Sequence, residues 1–351
     1  RISRRTAGWV QARCLAKESG VRVMAVRPIL IAHRGASGDW PEHTLEAYRL
    51  AIEMGADFIE PDLVLSKDGI LVARHENEIS GTTDVAQRPE FAARQATKTI
   101  DGQSVTGWFT EDFTFAELRT LKARERLPEL RVANTAYDGQ FLIPSFDEIL
   151  ALAQTEGQAR GRVIGVYPET KHPSYFTSIG LPHEAPLLSV LAHYGLTEAG
   201  SPVFIQSFEV GNLKVLRTKT KVRMIQLIDS EAGPTDLPDT LYADMITPDG
   251  LKAIAAYADG IGPFKDLVIA RTADGHLGRP TQLVEHAHAV GLKVHPWTFR
   301  AENYFLPAGL KTSSDPKEKG DLASEIKAFV AAGVDGIFSD HSAEAHAALS
   351  D

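Results

Sequence analysis

The chain has 351 residues, 43% of them hydrophobic and 24% charged, a composition that excludes collagen-like and disordered classes. That length accommodates one α/β barrel or two ordinary domains. A formal net charge of −9 argues against nucleic acid as the main partner, while a local basic pocket still accommodates a small anion.

The charge is uneven at the start. Residues 1–28 carry seven Lys/Arg against the single acid Glu18. Arg13, Lys17, Arg22 and Arg27 interrupt every stretch that could serve as the apolar core of a signal peptide. This segment is expected to be an unstructured basic leader, upstream of a start at Met24. The only cysteine, Cys14, lies in it, so no intramolecular disulfide is possible. No later run approaches 18 apolar residues, so no stable membrane anchor is expected.

From residue 29 onward, short β-branched runs alternate with helical patterns. A strand is predicted over 29–33 and a helix over 44–54, stopped by Gly55; a second strand follows over 58–65. Further strands are predicted over 163–168, 203–207, 224–228, 260–263, 293–298 and 336–339. Helices are predicted over 209–218, 250–257, 281–290 and 322–332, the last two ended by Gly291 and Gly333. Eight strands alternating with helices imply parallel pairing. The predicted fold is α/β, a TIM (β/α)8 barrel, with an open doubly wound sheet as the alternative. No GxGxxG follows a strand, which weakens the open sheet. Between 76 and 144 the alternation stops, leaving only a modest helix near 115–122. That stretch is too long for a bare loop, and is predicted to be a small inserted subdomain after the second strand, over the C-terminal mouth.

The chemistry concentrates at strand ends. Glu60 and Asp62 in FIEPDLV are two apart, so on a strand both face the same way. Buried together, two carboxylates cost several kcal/mol unless a cation is shared between them. Their hard oxygens suit Mg²⁺ or Ca²⁺ rather than zinc. Glu169 in PETK is a third candidate ligand, with Lys171 beside it to face phosphate oxygens. His33 and His75 end neighbouring strands, where one imidazole can take a proton from a nucleophile and the other protonate a leaving alkoxide. Arg34 can clamp nonbridging phosphate oxygens, and Gly35 permits close backbone approach. His43 precedes Thr44, a good N-cap, and is read either as support for the site or as a phosphate contact. Gln206, Phe264 and Trp297 are candidates to line the mouth. A Ser-His-Asp triad has no support, because no GxSxG occurs.

These strings resemble the glycerophosphodiester phosphodiesterase family over nearly the whole chain from residue 29. The matching motifs are HRGA at 33–36, PEHT at 41–44, ExD at 60–62, DG at 68–69, His75, PExK at 168–171, QSF at 206–208 and DGIFSD at 335–340. YADGIGP at 257–263 and VHPWTF at 294–299 are similar to a bacterial branch whose members are often periplasmic. The resemblance implies one bound divalent metal ion, Ca²⁺ or Mg²⁺, and hydrolysis of glycerophosphodiesters. It implies His33 and His75 as acid and base, Glu60, Asp62 and Glu169 as metal ligands, and Arg34 and Lys171 on phosphate. The family commonly has Asp after the second histidine and an Arg shortly beyond; here HENEISGTTD supplies Glu76 and no such Arg. Rival readings are a lysophospholipase D-like diesterase on the same site and a non-catalytic barrel that binds phosphodiesters. Periplasmic relatives and the missing signal core point to different compartments.

Overall fold

The computed structural model describes residues 27–350. The leader expected over 1–28 lies outside the described residues except for Arg27 and Pro28; the Arg27 guanidinium pairs with Asp57 at 2.9 Å.

The architecture is a closed parallel barrel. The first strand, Ile29–His33, pairs on one side with the second, Ile31 opposite Phe58, and on the other with the eighth, Gly336–Ser339. The second strand is broken at Pro61 into Phe58–Glu60 and Asp62–Leu65. The third is likewise broken around Tyr167 and Pro168 into Gly165–Val166 and Glu169–Thr170. Proline has no N–H to donate, so each strand bends there and resumes. Phe204–Ser207, Arg223–Ile228 and Gly260–Pro263 follow as the fourth to sixth strands, each paired in parallel with its predecessor. Lys293–Val294, the seventh, pairs with the sixth. The ring closes where the amides of Asp335 and Phe338 donate to the carbonyls of Val294 and Pro296 at 2.9 and 3.2 Å.

Several elements depart from the sequence reading. The third strand runs on past Pro168, so Glu169 lies within it rather than at its end. The seventh is regular only over Lys293–Val294; Pro296 lacks an N–H, yet the amides of His295 and Trp297 go on donating to the carbonyls of Ile261 and Pro263 at 2.9 and 3.1 Å. The segment 76–144 holds an antiparallel hairpin, Ala96–Ile100 with Gln103–Gly107, and a single helical turn, Phe115–Leu118. Among the described residues five helices escaped the sequence reading: Phe146–Arg160, Glu184–His193 and Ser342–Ser350, and the shorter Pro173–Ser178 and Tyr242–Met245. The first has a legible start, since Ser145 and Glu148 form a capping box. Gly161 ends it in the left-handed conformation.

Two cores hold the barrel. Ile31, Phe58, Tyr167, Phe204, Ile225 and Phe338 fill the interior from six strands. A much larger outer core packs the strands against the helices, including Tyr48, Ile59, Ile149, Leu213, Ile326 and Phe329. Each such side chain contributes about 1.5–3 kcal/mol on burial. The interior plug closes the N-terminal end of the ring, where His295 packs on Phe204 and its Nδ1 lies 2.8 Å from the Tyr167 hydroxyl. The polar side chains gather at the other end.

Candidate active site

Strand register assembles the site. His33 stands opposite Glu60, Asp62 opposite Glu169, and Glu169 opposite Gln206. Four consecutive strands thus bring one polar layer to the C-terminal end of the barrel, the position where barrel enzymes carry their chemistry. Oxygens of Glu60, Asp62 and Glu169 lie within 4.8 Å of one another, and all three residues are buried.

Each carboxylate has a holder. The Gln206 amide donates to Glu60 Oε1 at 3.0 Å, and the backbone N–H of Arg34 donates to Glu60 Oε2 at 2.8 Å. Arg34 reaches that position in the left-handed region, at φ 61°, with Gly35 following at φ 89°. Gly35 is required by close packing: a Cβ there would stand 2.8 Å from the Ala47 carbonyl carbon in the first helix, Leu45–Glu53. Thr44 caps that helix, accepting from the Ala47 N–H. His43 is therefore free to hold Asp62, its Nε2 lying 2.9 Å from Oδ2. Lys171 Nζ donates to Glu169 Oε1 at 2.8 Å and lies 3.3 Å from His75 Nε2.

The electrostatics suit a cation. Burial, followed by the neighbouring Asp62 and Glu169 charges, pushes Glu60 well above the ordinary carboxylate range. Burial pushes Glu169 up to about 8, against the pull of Lys171. Asp62 is held well below its usual value despite burial, by Lys171 and by the His43 hydrogen bond. Three crowded carboxylates that resist ionising together are what a divalent ion relieves. The donor set is all oxygen, and the buried Gln206 Oε1 on the cavity wall has no hydrogen-bond partner. These residues fit a hard cation such as Ca²⁺ or Mg²⁺.

Both imidazoles face the same cavity of about 330 Å³, whose wall also includes Arg34, Glu60, Glu169, Lys171, Gln206 and Trp297. Burial, then the Arg34 charge, lowers His33 to about 4. Burial, then Arg34 and Lys171, lowers His75 to about 3. Both rings are thus neutral near pH 7, and each has a carboxylate on Nδ1. His33 Nδ1 lies 2.6 Å from Asp340 Oδ1, and His75 Nδ1 is in short contact with Glu76. Trp297 is fixed on the wall by donating Nε1–H to the Gly262 carbonyl at 2.7 Å. Phe264 does not reach the cavity lining: its ring packs edge-on against Trp297 at 5.3 Å, because the indole takes the inner place. Phe208, Leu227, Asp229, Thr298, Arg300 and Phe338 complete the wall. A second cavity of about 280 Å³ adjoins it, sharing Glu169, Lys171, Phe208 and Asp229.

Sequence reasoning missed Asp340, Glu42, Arg126, Arg131 and Arg300 as members of this network. Arg34 NH1 donates to Glu42 at 3.1 Å, and Arg300 Nε donates to Asp340 at 2.8 Å. The motifs PEHT and DGIFSD contained two of these residues, but nothing in their spacing named their partners.

Among known proteins, the model of the glycerophosphoryl diester phosphodiesterase family matches residues 33–344. A glycerophosphodiester phosphodiesterase of Arabidopsis thaliana is 38% identical over 333 residues, covering 91% of this chain and 85% of the relative. One from Haemophilus influenzae is 29% identical over 306 residues, covering 78% and 79%. A solved structure from Silicibacter pomeroyi, described as a glycerophosphoryl diester phosphodiesterase, superposes with a TM-score of 0.67 at 21% identity, covering 93% of this chain and 94% of its own. A phosphodiesterase from Oleispira antarctica, solved with the product sn-glycerol-3-phosphate, gives 0.59 at 21% identity, covering 93% and 98%. The two superpositions speak for the barrel alone; the family model and the plant relative, with their near-complete coverage, show that the chain belongs to the glycerophosphoryl diester phosphodiesterase family.

Proposed function

We propose that the chain hydrolyses glycerophosphodiesters, such as glycerophosphocholine and glycerophosphoethanolamine, to sn-glycerol 3-phosphate and an alcohol, with His33 and His75 as the acid–base pair. The observation that carries this reading is the common cavity shared by both imidazoles, Arg34, Lys171 and the carboxylates Glu60 and Glu169. The two cations would bind the phosphodiester oxygens, and Trp297 and Phe208 would pack against the glycerol carbons. A divalent ion held by Glu60, Asp62 and Glu169 would supply Lewis-acid polarisation of the phosphoryl group.

The two histidines divide the proton work. One removes the proton of the attacking oxygen as its bond to phosphorus forms; the other delivers a proton to the departing alkoxide as the P–O ester bond breaks. The attacking oxygen belongs to water or to the glycerol 2-hydroxyl, the second route passing through a cyclic phosphate. Both rings are neutral in the free protein, so the base is ready and the acid must gain a proton. An anionic diester between Arg34 and Lys171 would offset the two charges that depress His75, and so favour its protonation.

The test is turnover of glycerophosphocholine, read as sn-glycerol 3-phosphate release. His33→Ala and His75→Ala should each abolish it while the fold persists. Full rate in either variant, or after chelation, would overturn the proposal. Detection of a glycerol cyclic phosphate by phosphorus NMR during turnover would separate the two attack routes.

A further inference from the structure

Two arginines on one turn of the inserted segment reach opposite sides of the cavity. Arg126 NH1 and NH2 donate to Glu76 at 2.9 and 2.7 Å, and Glu76 is the carboxylate on His75 Nδ1. Arg126 Nε and NH2 also donate to Glu42 at 2.9 and 2.7 Å, and Glu42 holds Arg34. Arg131 NH2 donates to Asp340 Oδ2 at 2.6 Å, and Asp340 Oδ1 is the oxygen on His33 Nδ1. Arg131 is itself buried, with Nε on Glu302 at 2.6 Å and NH1 on the Ser37 carbonyl at 2.8 Å.

The turn that carries them is tied internally. The Leu127 carbonyl accepts from the amides of Leu130 and Arg131 at 2.9 and 2.7 Å, and Glu125 accepts from the Leu127 amide and from Asn134. The backbone between the two arginines is therefore held by its own hydrogen bonds.

We infer that the turn containing Arg126 and Arg131 is the positioning element for both imidazoles, each arginine fixing the carboxylate that orients one ring. An ion-paired carboxylate stays anionic and accepts the Nδ1–H, which leaves Nε2 as the unprotonated nitrogen toward the cavity. The contact on the far side of His75 agrees: an ammonium only donates, so Lys171 at 3.3 Å from Nε2 requires that nitrogen to be the acceptor. The inference rests on the acid–base role proposed for His33 and His75, and assigns no contact between the arginines and substrate.

The experiment is a pair of double-mutant cycles on glycerophosphocholine hydrolysis by the full chain. Arg126→Gln and Arg131→Gln should each lower kcat about 10–100-fold, the range typical of groups that orient a reacting ligand, with KM changed less than about threefold. Adding Arg126→Gln to Glu76→Gln, or Arg131→Gln to Asp340→Asn, should cost less than the same arginine change made in the parent, since part of each arginine's effect passes through that carboxylate. Arg126→Lys and Arg131→Lys should recover part of the rate. Arg124→Gln, whose residue on the same segment pairs only loosely with Asp138 at 3.7 Å, should leave the rate unchanged. Where a glutamine variant does not fold, the lysine variant and the Nδ1 proton resonance of His33 report instead; that resonance should shift in Arg131→Lys. Independent, additive losses, an unmoved resonance, or folded arginine variants with kcat within twofold of the parent would overturn the inference. Turnover surviving His33→Ala would instead overturn the proposed function.

Discussion

His43 Nε2 lies 2.9 Å from Asp62 Oδ2, and its other ring nitrogen accepts the Tyr48 hydroxyl at 2.7 Å. The ring is fully buried and its backbone stands at φ 55°, so the Arg34-to-His43 loop presents it in one orientation. Arg74 follows a short strand, Leu71–Ala73, that pairs antiparallel with Asp62–Leu65, and it reinforces that loop by donating to the His43 carbonyl at 3.1 Å. An aspartate gripped in this way meets an incoming cation without having to reorganise. His43→Ala should therefore weaken Ca²⁺ or Mg²⁺ binding about 10–100-fold. Calorimetric titration checks this; an affinity equal to that of the parent would show that His43 only packs.

The three carboxylates should act as one site. Saturating Ca²⁺ or Mg²⁺, at about 100 times Kd, should add roughly 2.7 kcal/mol to the stability of the parent. Glu60→Gln, Asp62→Asn and Glu169→Gln should each abolish most of that gain in a thermal melt. His33→Ala should keep it, because the proposed mechanism gives its ring to the reaction rather than to the ion. A shift that survives all three carboxylate changes would place the cation elsewhere.

Acid should destabilise the fold through histidines remote from the carboxylates. Burial holds His183 and His295 down to about 4, against an ordinary value of 6.5. As pH falls below about 6.5 the unfolded chain protonates both rings, while the folded chain keeps them neutral until about 4. The unfolded state then binds more protons, so the stability is complete above that window and is lost as pH drops through it. Each ring accounts for roughly 3 kcal/mol at most. His295→Gln should narrow the gap in Tm between about pH 7 and pH 5; an unchanged gap would remove His295 from the account.

Gly35→Ala should be costly out of proportion to one methyl group. The residue sits at φ 89°, and the new Cβ would meet backbone and side-chain atoms of Ala47 at 2.8–3.0 Å. Strain of this kind costs about 1–3 kcal/mol. The displaced loop carries the Arg34 amide that holds Glu60, so metal affinity should fall along with Tm. A melt and a titration on the same sample check both effects.

The residues visible in the sequence are those fixed by local rules. His33, Glu60 and Asp62 follow apolar runs whose period sets which face they occupy, and the barrel turns that face inward. What stayed hidden depends on which distant strands become neighbours. Asp340 meets His33 only because the eighth strand pairs with the first. Arg126 and Arg131 lie in a stretch whose fold follows side-chain anchors rather than periodicity, so ERLPELR reads as surface charge. The helix Phe146–Arg160 was a different kind of omission: its capping box was legible, but its weak apolar face concealed it. For Phe264 and Trp297, aromatic character alone does not say which of two neighbouring rings lines the cavity; Trp297 does, with Phe264 packed against it.

Ring closure also has a consequence for the order in which the protein becomes competent. His33 emerges early in synthesis, yet the carboxylate that aims its imidazole sits at the end of the last strand. A nascent chain can already carry the three acids, both histidines and the inserted arginines. It still lacks an aimed His33 until the eighth strand seats between the seventh and the first. Activity should therefore appear late and abruptly, and C-terminal truncations before residue 335 should yield chains that possess all three buried carboxylates yet do not turn over.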